Sequence, residues 1–241
     1  SYRKGDSKHY HLYEIDLDGG NLRQLTDGPF DVFEPAYLPD DRIVFVSSRC
    51  NRWVNCWVTR VAVLHRCDAD GGNIHAISAN LEHDNTPWPL PDGRVLYQRW
   101  EYVDRSQVDY HHLWTANPDG TKQMVYYGNM HPGIVMIDAK PIPDSNKVVA
   151  IFSPGHGRRE HDGQITIVDP RRGPDDKGSA RQVTKEDNYR DPWAFSEDAI
   201  MAAQGQRVAL LDNSQSQVHE LYRVTPAEAA AGLECHEPRP V

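Results

Sequence analysis

The sequence predicts an all-β protein, a β-propeller of four-stranded antiparallel blades with about four and a half blades present. One recurring phrase places a proline before a turn and a short apolar run, about 50 residues apart, at Pro35, Pro87, Pro141 and Pro192. A second phrase is an apolar strand that ends in an acidic turn, anchored at Asp16, Asp68, Asn117, Asp169 and Asp212. Repetition at this period without helical spacing is typical of propellers.

Each repeat contains signals for two hairpins. Between residues 84 and 127, short runs rich in β-branched and aromatic residues alternate with Pro, Gly, Asn and Asp. The PDG sequence at 91–93 predicts one tight turn, and NPDGT at 117–121 predicts another. DLDGG (16–20) and DADGG (68–72) take the second position in other repeats. They resemble part of a calcium loop, but they lack its later acidic ligand, so we interpret them as turns.

The C-terminal region contains the one predicted helix, PAEAAAG at 226–232. Thr225 is its predicted N-cap and Gly232 its stop. Beyond it, Glu237-Pro238 repeats the pattern of Glu34-Pro35. This repeat either closes a five-bladed ring with the N-terminal blade or belongs to a larger propeller, and we favour the larger propeller.

Composition is consistent with one propeller domain over residues 1–241, as part of a larger propeller or multidomain protein. Hydrophobic residues make up 39% of the chain, and no apolar run reaches the roughly 18 residues of a membrane span. The net charge of −9 disfavours a nucleic-acid partner, which would require a basic face. No signal peptide is visible in the sequence.

Loop lengths differ between the two ends of the predicted blades. One set of turns is short, whereas the other set and the connections between blades are long, at 28–34, 47–60, 80–86, 98–112, 128–139, 153–163 and 185–191. Long loops on a rigid scaffold commonly carry binding groups. This loop-rich face is therefore the predicted ligand or partner face, with candidate residues His83, Asp84, Trp100, Glu101, His131, His156, His161 and Asp191.

Cysteine and histidine residues leave several interpretations open. Cys50 and Cys56 share one loop and predict a disulfide if the compartment is oxidising, whereas Cys67 lies inside a strand and predicts a core residue. A divalent metal is an alternative, with candidate ligands Cys50, His83, His131 and His156. If these histidines hold no metal, we interpret them as scattered surface groups. Trp100 either stacks on a sugar or packs the blade edge.

Several strings carry a family resemblance. LYEIDLDGG, EPAYLPDDRIVFVSSR and their repeats resemble TolB-type, WD-like propellers. RCNRWVNCW, RWEYVDR, LWTANPDGT and YRDPWAFSED resemble the propeller-containing proteins related to the hydrazine synthase alpha subunit. This resemblance implies an exported protein, periplasmic or extracellular, in a family often joined to c-type haem modules. The chain contains no CxxCH motif, so the resemblance implies that any haem is held by an adjoining domain.

The sequence therefore favours a propeller scaffold that binds a partner domain, subunit or ligand on its loop-rich face. One alternative is that the chain forms part of a metal- or haem-containing oxidoreductase. Another is that it is a propeller enzyme that acts on polysaccharides. Whether the chain acts in catalysis stays open, because it contains no nucleophile elbow, phosphate loop or HExxH motif.

Overall fold

A computed structural model describes residues 2–4, 8–157 and 161–240. The chain is mostly β, with 46% strand and 6% helix, and it forms several antiparallel sheets. This confirms the predicted all-β class, while the number of blades stays a prediction. No helix in the described ranges has the length and apolar character needed to cross a membrane.

The chain divides into two compact units. Unit 1 comprises Ser1–Gln107 and Trp114–Met124, and unit 2 comprises Val108–Leu113 and Val125–Val241. The single domain over 1–241 stays a prediction, and each unit is described by itself below.

Unit 1 begins with a three-stranded sheet and continues with a four-stranded sheet whose strands pair in sequence order. The first sheet contains β1 (Tyr2–Lys4), β2 (Tyr10–Glu14) and β3 (Arg23–Gln24). The second contains β4 (Val32–Tyr37), β5 (Ile43–Ser47), β6 (Val63–Cys67) and β7 (His75–Ala76). The next hairpin pairs β8 (Asp84–Pro89) with β9 (Val95–Val103). A 3-10 helix over Ser48–Cys50 follows β5.

Two strands contain residues of both units, β10 (Ser106–Ala116) and β11 (Met124–Tyr127). In unit 2, β10 pairs in parallel with β12, which is followed by three antiparallel partners. These strands are β12 (Ile134–Pro141), β13 (Val148–Ser153), β14 (Gln164–Val168) and β15 (Ala180–Gln182). Two 3-10 helices, Pro170–Arg172 and Lys177–Ser179, connect β14 to β15.

A last four-stranded sheet and one helix complete unit 2. The strands are β16 (Arg190–Ala194), β17 (Ala199–Gln204), β18 (Arg207–Asp212) and β19 (Gln217–Arg223). Helix α1 covers Pro226–Ala230 and confirms the predicted helix: Thr225 is its N-cap, in a reciprocal capping box with Glu228. Gly232 follows with φ +75°.

Alternating residues along the strands build the core of unit 2. Val149 and Ile151 on β13, with Ile165 on β14, are buried against Ile200 and Ala202 on β17. Side chains of adjacent strand residues point to opposite faces, so this alternation leaves Phe152 and Thr166 on the other face of the sheet. Burying each aliphatic side chain contributes about 1.5–3 kcal/mol before entropic costs.

A left-handed residue recurs in the first strand of each repeat and marks a β-bulge. Glu34, Thr86, Asp138 and Asp191 all have φ between 49° and 56°, and a register shift occurs at each. Pro35, Pro87 and Pro192 directly follow such residues, but the equivalent position after Asp138 is Ala139. Pro141 is therefore not equivalent to the other three prolines; it lies two residues later in its strand, paired with Val148.

The acidic turns have the predicted hairpin geometry. In the first, Asp16 N–H donates to the Gly20 carbonyl at 3.0 Å and Gly19 N–H donates to the Asp16 carbonyl at 2.9 Å. The turns that begin at Asp68 and Asn117 repeat both bonds. The turn interpretation of the DxDGG sequences is therefore confirmed.

Candidate functional site

The long loop after β5 is an ordered hairpin, residues 52–61, which we call the tryptophan hairpin. Val61 N–H donates to the Arg52 carbonyl and Val54 N–H donates to the Thr59 carbonyl, each at 2.9 Å, and Trp53 forms a β-bridge with Arg60. These bonds give the loop a strand-like backbone.

The tip of this hairpin exposes large apolar side chains. Trp53 is 54% exposed, Trp57 71% and Val58 82%. The Arg60 guanidinium lies 3.9 Å from the centroid of the Trp53 ring, a cation–π contact. This contact holds one tryptophan face in place and leaves the Trp57 and Val58 side chains exposed.

The base of the hairpin is fixed to the rest of unit 1. Val54 and Val61 are buried in a cluster with Trp100. The Arg52 guanidinium donates to the Asn80 carbonyl, and Asn55 N–H donates to the Glu82 carboxylate at 3.1 Å. The exposed tryptophans therefore lie on a hairpin whose base is packed and hydrogen-bonded to the rest of unit 1.

Three predicted site residues come together at this anchor. His83 Nδ1 accepts the Ala62 N–H at 3.1 Å, and its ring lies 6.0 Å from that of Trp100. Asp84 is fully buried and accepts hydrogen bonds from Ser78 Oγ at 2.5 Å and Asn80 Nδ2 at 3.1 Å. Burial raises the pKa of Asp84 to about 6, although both hydrogen bonds act in the opposite direction.

Trp100 packs inside the protein at this position. It is 4% exposed, and its Nε1–H donates to the Gln107 carbonyl at 2.9 Å. Glu101, the next residue, forms an ion pair with Arg105. His83, Asp84 and Trp100 thus lie at the base of the tryptophan hairpin.

In unit 2, two predicted site histidines have backbone or histidine partners. His131 Nε2 lies 3.0 Å from the Asp175 carbonyl, which requires a proton on that nitrogen. His156 Nδ1 lies 3.0 Å from Nε2 of His111, and the ring centroids are 4.9 Å apart. The sequence analysis missed His111 because it placed residues 98–112 in a long loop; that expectation was wrong, since β9 and β10 cover most of this range and His111 lies on β10.

The two remaining predicted site residues of unit 2 are Asp191, which contacts the C-terminal segment, and His161, which lies in a loop. Asp191 is 8% exposed, and its carboxylate accepts the Glu237 N–H at 2.8 Å. His161 is exposed, and residues 158–160 of its predicted loop lie outside the described residues. A single face shared by all these loops stays a prediction.

The predicted disulfide and the predicted metal site both include Cys50. All four cysteines are free thiols; Cys50 donates to the Val61 carbonyl at 3.2 Å, Cys56 is exposed at the hairpin tip, and Cys67 is buried as expected. Among the described residues, no group of three or more His, Cys, Asp or Glu could hold a metal ion. The Cys50–Cys56 bond, a metal held by Cys50, His83, His131 and His156, and a haem held by an adjoining domain stay predictions.

Comparison with known proteins identifies the fold. No family profile matches the sequence, and no curated protein matches it. Among solved structures, the chain is similar to Kuenenia stuttgartiensis hydrazine synthase, with TM-score 0.72 and 18% identity over 90% of this chain and 36% of that one. TolB from Acinetobacter baumannii gives TM-score 0.64 and 18% identity over 90% and 49%. A chain of a nidogen/laminin complex gives 0.60 and 13% over 91% and 73%.

The chain thus spans about a third of the matched hydrazine synthase chain and about half of the TolB chain. Identities this low carry information about fold alone. The structural neighbours include propeller proteins, and the repeated four-stranded antiparallel sheets agree with them. The chain has a β-propeller fold.

Proposed function

We propose that this chain is a propeller scaffold within a larger exported protein, and that it binds another domain or subunit through the tryptophan hairpin. The observation that carries the proposal is the anchored tip with its exposed Trp53, Trp57 and Val58. Tryptophan and arginine are enriched among the residues that dominate binding energy at protein interfaces. The cation–π contact between Arg60 and Trp53 places both types side by side.

Rigidity supports the same proposal. Binding orders flexible side chains at a free-energy cost, and a surface fixed beforehand avoids much of it. The backbone bonds at Val54 and Val61, with the bonds from Arg52 and Asn55 to the 80–82 segment, provide that order. The partner surface is expected to offer an apolar recess for Trp57 and acidic groups for Arg60.

Two other features agree with a scaffold in a larger assembly. The sequence resemblance is to exported multidomain proteins, and the chain spans only part of the structures it matches. Propellers serve many functions, so the hairpin and not the fold is the basis of the proposal.

Site-specific photocrosslinking tests the proposal. We expect a photoreactive phenylalanine analogue in place of Trp57, in the full-length protein in its own organism, to crosslink to one discrete protein or domain. Tyr37 is 58% exposed on β4 of the same unit and provides the matched control position. Mass spectrometry of the crosslinked peptides identifies the partner. Identical crosslinking patterns at the two positions, or none at Trp57, would contradict the proposal.

A further inference from the structure

A cavity of about 470 Å³ lies on the β12–β15 sheet of unit 2. Phe152 on β13 and Thr166 on β14 line it, and they alternate along their strands with the core residues Ile151 and Ile165. The cavity therefore occupies the face of the sheet opposite the core. Its volume lies in the range of sites for small molecules, about 300–1,000 Å³.

The wall of the cavity combines aromatic and aliphatic side chains with the polar side chains of His131, Thr166 and Gln182. Tyr127 is buried, and its ring packs against that of Phe152 at an interplanar angle of 22°, with centroids 6.3 Å apart, so the half-buried Phe152 is the aromatic side chain that a ligand can reach. Ile134 and Ala180 add aliphatic surface. The Phe152 ring, held in place by Tyr127, offers an aromatic surface on which a planar ligand can stack.

The segment 170–179, between β14 and β15, fixes the rim of the cavity. The Gly128 N–H donates to the Pro174 carbonyl at 2.8 Å, and the Tyr127 hydroxyl donates to the Asp176 carbonyl at 3.3 Å. The contact between His131 Nε2 and the Asp175 carbonyl adds a third bond. These bonds fix the backbone of the segment that carries Lys177, an exposed residue that also lines the cavity and lies at its mouth.

Charge at the mouth favours an anion. Lys177 is exposed, and no ion pair involves it within the part of the chain that the structure describes. The two neighbouring acids have other partners: Asp175 accepts the Met130 N–H at 2.8 Å, and Asp176 pairs with Arg172 at 2.7 Å. The Lys177 ammonium group is thus the cationic group among the residues that line the cavity.

We propose that this cavity binds a small aromatic carboxylate. The ring of the ligand lies against Phe152, and its carboxylate meets the Lys177 ammonium group at the mouth. The aromatic surface, the ordered rim and the lysine together favour a ligand that is planar and apolar at one end and anionic at the other. The site is independent of the tryptophan hairpin, because the hairpin belongs to unit 1 and the cavity to unit 2.

Methyl NMR with 2-naphthoate as the probe tests this site. We expect saturable shifts of the Ile134 methyl signal, since ring currents act on nearby groups, and no shift for Ile200, which is buried in the core. The neutral analogue 2-naphthamide and the variant Lys177→Met should each weaken binding by about fivefold, the size of one exposed ion pair. Lys185→Met is the matched control, because Lys185 is exposed in the same unit but does not line the cavity.

The outcomes separate the two parts of the proposal. An Ile134 signal that stays unchanged up to the solubility limit of 2-naphthoate would overturn the site. Equal affinities for 2-naphthoate and 2-naphthamide, with no effect of Lys177→Met, would overturn the preference for an anion. Equal weakening by Lys177→Met and Lys185→Met would also overturn that preference, because it would assign the effect to net charge.

Discussion

Asp84 shows how a buried carboxyl group can serve structure. Its oxygens accept from Ser78 and Asn80, and Asn80 Nδ2 also donates to the Trp100 carbonyl at 2.9 Å. The folded-state pKa, about 6, lies above the ordinary value of 3.8. The stability contributed by the neutral carboxyl is therefore fully present below pH 4 and is lost as the pH rises through about 6.

We predict that Asp84→Asn flattens the pH dependence of unfolding between pH 4 and pH 7. The amide keeps the shape and accepts the Asn80 hydrogen bond through its oxygen, whereas its NH2 group can only donate towards Ser78 Oγ. Because the amide does not ionise, the variant should lack the loss of up to about 3 kcal/mol of unfolding free energy that the wild type shows between pH 4 and pH 8. Urea denaturation at a series of pH values measures this. Asp41→Asn, in an exposed turn with φ +64°, is the control. Parallel pH curves for Asp84→Asn and the wild type would show that Asp84 does not control this dependence.

At the scale of single residues, the sequence predicted those features that depend on neighbouring residues along the chain. The Thr225 cap and the burial of Cys67, whose pKa burial raises to about 11, follow from neighbouring residues along the chain. The partners of His83 and His156 do not, because Ala62 and His111 lie 21 and 45 residues away. Such pairs depend on strand register, which a single sequence does not specify.

Two turn glycines allow close backbone contact between successive repeats of unit 1. At Gly120, with φ +83°, an added Cβ would overlap the Ile77 carbonyl oxygen and lie 2.9 Å from its carbon. Gly71 approaches the Leu25 carbonyl in the same way. Gly19 has the same turn position and φ +86°, but its Cβ would meet nothing within 4 Å.

We predict that Gly120→Ala destabilises the protein more than Gly19→Ala. Both substitutions place a Cβ on a left-handed backbone, which costs about 1–2 kcal/mol. Gly120→Ala also forces two strands apart, for which we expect a further cost of about 1–3 kcal/mol. Urea denaturation of the two variants gives the difference directly. Equal losses of unfolding free energy would mean that the close approach to Ile77 has no energetic role.

Turns were predictable at the element scale because their signals are local: Asp, Gly and Asn at fixed offsets. The segment 170–179 was not, because it replaces the short acidic turn with two 3-10 helices and nothing local shows that it bonds to Gly128 and His131. Pro141 was aligned with the other three prolines in error. It lies three residues after the bulge residue Asp138, whereas each of the others directly follows its bulge residue.

At the scale of the whole molecule, repetition predicts architecture better than function. The recurring phrases led to the propeller fold that the similar structures support, since each repeat buries its core only by stacking on its neighbours. The sequence also placed the long loop 47–60 among the candidate binding segments. It did not distinguish the buried Trp100 from the exposed Trp57, because exposure depends on how the hairpin packs.

The affinity of the crosslinked partner for variants of the tryptophan hairpin tests the central claim most directly. We predict that Trp57→Ala raises the dissociation constant about 30-fold, equivalent to about 2 kcal/mol, as expected for an interface tryptophan that dominates binding. Tyr37→Ala should change it by less than about twofold, as expected for a residue outside the interface. A dissociation constant unchanged by Trp57→Ala, or changed equally by both substitutions, would contradict the assignment of the hairpin as the docking surface.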